Sequence, residues 1–334
     1  MPKAKLPKAD ILIEINLKPL NILKRAFNER STEKKKTFWF KSINFSKSCL
    51  LNFLLIIISK ISSFFDSNSM LFEKDNCTVV DTAEESANGK WNSASSGYYD
   101  DKYIIYMTGI RNKTLAHQKI GYYLRHNFIY DATKKFHLIY GFESQVVVIG
   151  CGYDTLFWIC QDDNIRFQKW IELDKEELIE KKSKIISNNE LLQKSVDQEG
   201  SFILKAVDFD QIKSLLTELK QVGFNEKIPT LFIEEFSMIY FEKETTQNLL
   251  KEIGNLDNSC IISYGMVLID DEYGNFVNEG FEDLGVPLKS YVLTATEENY
   301  VQLLLESGFK CAKVMNCSFM LKNYFDEKEM KRVI

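Results

Sequence analysis

The sequence predicts an α/β fold, a doubly wound and mostly parallel sheet with helices on both faces, running from about residue 76 to residue 334. Two observations predict it. Short β-branched or apolar runs alternate with charged, helix-like stretches, as in β-α units whose strands are covered on both faces. In addition, four successive runs end in Gly, Asp, Asp and Glu, at the strand ends where such sheets receive ligands.

The first strand expected is Val146–Ile149, running into Gly150-Cys151-Gly152. The second, Lys169–Leu173, ends in Asp174 and is followed by a charged helical stretch from Lys175 to Ser187. The third, Phe202–Val207, ends in Asp208, and the fourth, Thr230–Ile233, ends in Glu234-Glu235. A fifth is expected over Ser259–Tyr264. Ahead of them the spacing predicts a helix from Tyr122 to Ile139. There Arg125, Phe128, Ala132, Phe136 and Ile139 share one face at three- and four-residue steps. Arg125 is the one charge on that stripe, so it either reaches out at the helix end or meets an anionic ligand.

The chain has 334 residues, 45% of them apolar and 27% charged, which is globular composition. A net charge of −5 with no basic stripe argues against a nucleic-acid partner. Seven scattered cysteines without a CxxC pair suit a reducing compartment, so a cytoplasmic location is expected. Three histidines make a histidine-rich metal site unexpected, and no metal is predicted. Residues 1–75 are rich in Lys, Asn and Ser and are expected to form a poorly ordered extension. Their apolar run, Cys49–Ile58, is too short to span a membrane, which takes about 20 residues.

Each strand end has two readings. Gly150 and Gly152 let a ligand approach the backbone, or simply make a tight turn. A dinucleotide fingerprint would need a third glycine where Thr155 stands, and Asp154 would repel a pyrophosphate, so the loop suits a ligand without phosphates. Asp174 can accept from both hydroxyls of a ribose, or cap the next helix. Asp208 can accept from an adenine amine while Phe209 packs on the ring, or cap a turn. Glu234 and Glu235 are adjacent carboxylates that call for a nearby cation.

Taken together, these segments resemble the leucine carboxyl methyltransferases. The resemblance runs from about Val79 to the C-terminus and weakens after Tyr264. It rests first on Lys90 placed ahead of Gly97-Tyr98-Tyr99, on Asp100-Asp101 and Tyr103-Ile104, and on Gly121-Tyr122-Tyr123-Leu124-Arg125. The run Gly150-Cys151-Gly152-Tyr153-Asp154-Thr155 is similar to the family's G-A-G-x-D-T, and Trp170–Asp174 to its F-E-V-D. Pro229–Glu235 with Tyr240 is similar to P-T-L-x-I-A-E…V-Y.

The resemblance implies a class I S-adenosylmethionine-dependent methyltransferase fold, Rossmann-like, with an added helical lid. It further implies methylation of the C-terminal leucine carboxylate of protein phosphatase 2A-type catalytic subunits. The chain itself is expected to be a monomer. Lys90 and Arg125 would then hold the carboxylate of S-adenosylmethionine, and Gly150 would pass close to its methionine part. Asp174 would take the ribose, Asp208 with Phe209 the adenine, and Glu235 the amine region. Tyr240 and Tyr264 are candidates for orienting the acceptor, or ordinary half-buried tyrosines. A carboxylate acceptor arrives ionised, so no essential general base is expected.

A sister branch acts in wybutosine tRNA modification and carries kelch repeats, for which a chain ending at Ile334 leaves no room. A different acceptor on the same fold and a non-catalytic cofactor-binding relative are the alternatives. The departures lie on the substrate side. Lys119-Ile120 replaces Asn-Arg, Tyr264-Gly265-Met266 replaces Tyr-Glu-Gln, and Asp271-Glu272-Tyr273-Gly274 replaces Asp-Arg-Phe-Gly.

Overall fold

A computed structural model describes residues 12–16, 77–109, 111–114, 116–197, 201–265, 278–279, 281–290 and 297–316. In chain order the elements begin with β1 (Leu12–Asn16), α1 (Val79–Ser95), α2 (Ile104–Met107), α3 (Ala116–Tyr140), β2 (Gln145–Ile149) and α4 (Leu156–Asp162). Then come β3 (Lys169–Asp174), α5 (Glu176–Ser187), α6 (Glu190–Asp197), β4 (Phe202–Ala206), α7 (Leu215–Gln221) and β5 (Thr230–Glu235). A 3₁₀ turn (Met238–Tyr240), α8 (Lys243–Gly254), β6 (Ser259–Tyr264), α9 (Glu297–Glu306) and β7 (Ala312–Asn316) follow.

The strands form one sheet of order β4-β3-β2-β5-β6-β1-β7, and each neighbouring pair is parallel. The chain steps outward from β2 to β3 and β4, then returns to the other side of β2 with β5. The order therefore reverses between β2 and β5, which is where a sheet of this kind opens a crevice at its carboxyl ends. Strands β2 to β6 lie within a residue or two of the expected places. One further strand, β1, comes from the segment expected to be an extension; Leu-Ile-Glu-Ile-Asn is too short to stand out beside its Lys-rich surroundings. The Cys49–Ile58 run lies outside the described residues.

Alternation along the strands builds two cores. Val146 and Val148 of β2, with Leu231 and Ile233 of β5, pack into the core with Phe128, Phe157 and Trp158. Val147, Ile149, Ile171, Leu173 and Phe232 point the other way, toward Leu215, Leu250, Ile253 and Leu304. All five residues of β2 are buried. Each such aliphatic side chain contributes about 1.5–3 kcal/mol of burial, which is why the strand reads as a continuous apolar run.

Helix α1 opens on a capping box: Asp81 N–H donates to Thr78 Oγ1, and Thr78 N–H donates to the Asp81 carboxylate at 2.8 Å. It packs on α3, whose buried side chains include Ile120, Leu124, Phe128 and Phe136. The expected stripe extends one step too far. Ile139 is 69% exposed, while Tyr140 and His137 of the same turn pack on Phe136 and Phe167.

Candidate active site

The site forms where α1 and α3 meet the carboxyl ends of β2 and β5. A Cβ added to Gly89 would fall 1.9 Å from the Tyr122 ring, so only glycine allows α1 and α3 to cross this closely. That crossing sets Lys90 of α1 and Arg125 of α3 side by side. Between them stands Glu235, the last residue of β5. Lys90 Nζ donates to Glu235 Oε2 at 2.9 Å, and Arg125 Nε donates to Glu235 Oε1. The Arg125 Nη2 also donates to the Glu235 backbone carbonyl at 3.3 Å. Asp154, just past the glycine turn, accepts from Lys90 Nζ at 2.9 Å. Two cations and two anions thus form a balanced quartet, with side chains 9–13% exposed.

The quartet is electrostatically self-consistent. Burial works against the charge on Lys90, yet attraction to Asp154 and Glu235 outweighs it and leaves the ammonium above its ordinary range. Arg125 is likewise pushed up, because Glu235 overcomes its desolvation. Burial would raise Asp154, but Lys90 and Lys182 hold it down to about 2. The Arg125 guanidinium also sits near three rings, Phe236 at 5.4 Å, Tyr122 at 5.6 Å and Tyr264 at 5.9 Å, as a cation–π partner would. The single charge on the apolar stripe of α3 therefore turns inward.

Glu234 and Glu235 do not share a cation. Successive strand residues face opposite sides of the sheet. Glu234 points into the second core and is satisfied there by Ser237, by Met238 N–H and by Ser263 Oγ. Burial raises its pKa, partly offset by those donors.

Gly150 adopts φ +68, and a Cβ there would meet Ser237 at 2.3 Å. Asp174 is the last residue of β3, and it does not cap α5, whose first turn lacks a side-chain cap. Its Oδ2 accepts from Gly152 N–H and its Oδ1 from Lys175 N–H, both at 2.7 Å. The carboxylate thereby pins the glycine turn, while each oxygen keeps a lone pair for a further donor. Burial raises its pKa, against the pull of those two N–H groups.

Asp208 and Phe209 are placed differently from the rest. Strand β4 ends at Ala206, and Asp208 is exposed in the following turn, accepting from Asp210 N–H at 3.2 Å. It lines a cavity of about 390 Å³ with Val207, Gln211, Ile212 and Ser214. Phe209 is 4% exposed, its ring stacked on Phe241 at 4.7 Å, so the structure puts it in the second core.

Tyr264 is buried against Phe128 and Arg125. Tyr240 is half-buried, hydrogen-bonded to Thr82 of α1, and burial pushes its hydroxyl up to about 12. Tyr240 is therefore not poised as a base. Where the resembling family has an acid after Tyr264, Gly265 stands against the Phe236 ring, and a Cβ added to it would fall 1.9 Å from that ring. That ring fills the place of the missing side chain. Lys119 Nζ donates to Ser96 Oγ, and residues 266–277 lie outside the described region.

Two residues at the quartet give no sign in the sequence of the part they play. Asp154 reads there as a repeller of phosphates and as part of the glycine-turn motif, with nothing to mark it as a partner of Lys90. His126, next to Arg125, stacks on Tyr99 at 3.9 Å, and its pKa is lowered to about 4 by burial and by Lys90. Among the described residues no group of three His, Cys, Asp or Glu could hold a metal ion, and no helix is long and apolar enough to cross a membrane.

Known proteins resemble this chain in sequence. A sequence model described as leucine carboxyl methyltransferase matches residues 88–254, half of the chain and the part that carries the quartet. Leucine carboxyl methyltransferase 1 of Caenorhabditis elegans is 25% identical over 289 residues, covering 80% of this chain and 86% of that protein. The protein of the same name from Bos taurus is 25% identical over 269 residues, covering 75% and 81%. The human tRNA wybutosine-synthesizing protein 4 is 20% identical over 278 residues, covering 76% of this chain and 40% of that protein.

Proposed function

Because the chain belongs to the leucine carboxyl methyltransferase family, we propose that it transfers a methyl group from S-adenosylmethionine to the α-carboxylate of a C-terminal leucine. The acceptor in this reading is a catalytic subunit of the protein phosphatase 2A type.

The observation that carries the proposal is the balanced quartet at the topological switch point. An amino-acid zwitterion carries one carboxylate and one ammonium. Entering between Arg125, Lys90 and Glu235, it would exchange partners with them at no change in net charge, which limits the cost of burying its ions. Arg125 offers a planar fork to a carboxylate, and Lys90 a point charge beside it. Glu235 would accept from the ammonium, and Asp174 has lone pairs for ribose hydroxyls. The donor set thus fits S-adenosylmethionine, which when bound supplies a methyl group on an electron-poor sulfonium.

The residues' remaining work is positional. A main-chain carboxylate has a pKa of about 3.5 and needs no proton removed near neutrality. The buried tyrosines and the neutral His126 suit a site that excludes water and aligns an already ionised oxygen. The test is incubation with methyl-labelled cofactor and a phosphatase catalytic subunit, with and without its terminal leucine. Base-labile label that depends on the leucine supports the reading. Label that resists mild alkali, that survives loss of the leucine, or that goes only to tRNA would overturn the acceptor.

A further inference from the structure

Asp154 does two things at once. Its Oδ1 accepts from Lys90 Nζ at 2.9 Å, and its Oδ2 accepts from Leu156 N–H at 3.1 Å, in the first turn of α4. The side chain is 12% exposed and held between a rigid helix start and the ammonium. Among the described residues Lys90 has one other anionic partner within hydrogen-bond reach, Glu235. If Glu235 turns to a ligand ammonium, Lys90 would keep Asp154 alone as its counter-ion.

We propose that Asp154 is the positioning residue for Lys90: anchored on α4, it keeps the ammonium aimed and neutralised when Glu235 engages the amino-acid end of the ligand. This rests on the reading of the site given above. The role is not that of a ligand-binding group, since Asp154 acts through Lys90. Its anchorage suits that role, because Lys90 and Lys182 keep its carboxylate ionised, with a pKa of about 2. Without it, Lys90 and Arg125 would face one anion, and a flexible lysine side chain would have no fixed direction once Glu235 is engaged.

The experiment uses the full chain and two probes measured by calorimetry. S-adenosylhomocysteine carries the amino-acid end, and 5′-methylthioadenosine has the same nucleoside without it. Asp154→Asn removes the charge but leaves an oxygen for Leu156 N–H. It is expected to weaken S-adenosylhomocysteine about tenfold, the scale of one charge-assisted contact, and to leave 5′-methylthioadenosine within about twofold. Asp154→Ser, whose hydroxyl can also serve the helix start, should show the same selective loss and covers the case in which the amide variant fails to fold.

The double variant Lys90→Met/Asp154→Asn should bind no worse than Lys90→Met, because the second change acts only through the first. Equal weakening of both probes, additive losses in the double variant, or unchanged binding would each overturn the assignment. If wild-type protein binds neither probe, the functional reading fails and takes this inference with it. If it binds both and Asp154→Asn binds equally well, this inference alone fails.

Discussion

Replacing Arg125 with alanine tests the centre of the site. The guanidinium makes a charge-assisted hydrogen bond to the Glu235 carboxylate and a second bond, at 3.3 Å, to the Glu235 carbonyl. Breaking one partner of a fully buried pair costs about 3–5 kcal/mol. Here Lys90 stays 2.9 Å from Glu235, and the Arg125 side chain is 13% exposed, so a loss of about 2 kcal/mol is expected. For a domain of this size that corresponds to a fall in melting temperature of about 4–8 °C. Binding should suffer more selectively. Without the planar fork the affinity for S-adenosylhomocysteine should drop at least tenfold, or about 1.4 kcal/mol, and Arg125→Lys should restore part of it. Calorimetry on the folded protein at a temperature well below its melting point separates the two effects. A folded alanine variant that binds as tightly as wild type would refute the site as drawn, and would leave Arg125 as a structural ion-pair partner of Glu235.

Asp174→Ala should weaken the same ligand by about 1–3 kcal/mol in calorimetry, since it removes a buried acceptor and frees the glycine turn that the carboxylate pins; unchanged affinity would sink the ribose assignment. Lys182 and Glu172 form an ion pair at 2.6 Å with both side chains fully buried, and Trp170 Nε1 adds a bond at 3.2 Å. Lys182→Met should cost about 3–5 kcal/mol in denaturant unfolding, and adding Glu172→Gln should recover much of it; simple additivity would contradict the pairing. His126 has its folded pKa lowered from 6.5 to about 4, so the unfolded chain takes up the proton first. Its contribution to stability is therefore intact above pH 6.5 and is lost as pH falls toward 4. The melting temperature of His126→Gln should fall less steeply than wild type over that window, and parallel curves would show that His126 does not titrate there.

Much of this can be read from the sequence, and the rest cannot, for identifiable physical reasons. Strands β2, β3, β5 and β6 are legible because parallel strands covered on both faces are continuous apolar runs, and Gly150, Asp174 and Glu235 draw notice because strand ends are where such sheets receive ligands. Arg125 is legible as an anomaly, a charge on an apolar stripe, although its partner lies 110 residues away. Periodicity reports which side of a helix is apolar, but not which residues of that side are covered, so Ile139 is misplaced and Phe209 gives no sign that Phe241 covers it. Asp154 is hidden for a different reason. Its meaning depends on a lysine 64 residues earlier, and that contact exists only because Gly89 lets α1 press against Tyr122. The sorting of Glu234 from Glu235 needs only the pleat. Adjacent residues of a strand cannot face one cation, so one carboxylate has to be satisfied by hydroxyls and amides while the other meets Lys90 and Arg125. Each member of the quartet therefore has its charge answered by another. A zwitterionic ligand can then trade places with existing ion pairs at constant net charge, and the sequence encodes that property through the crossing of two helices as much as through any motif.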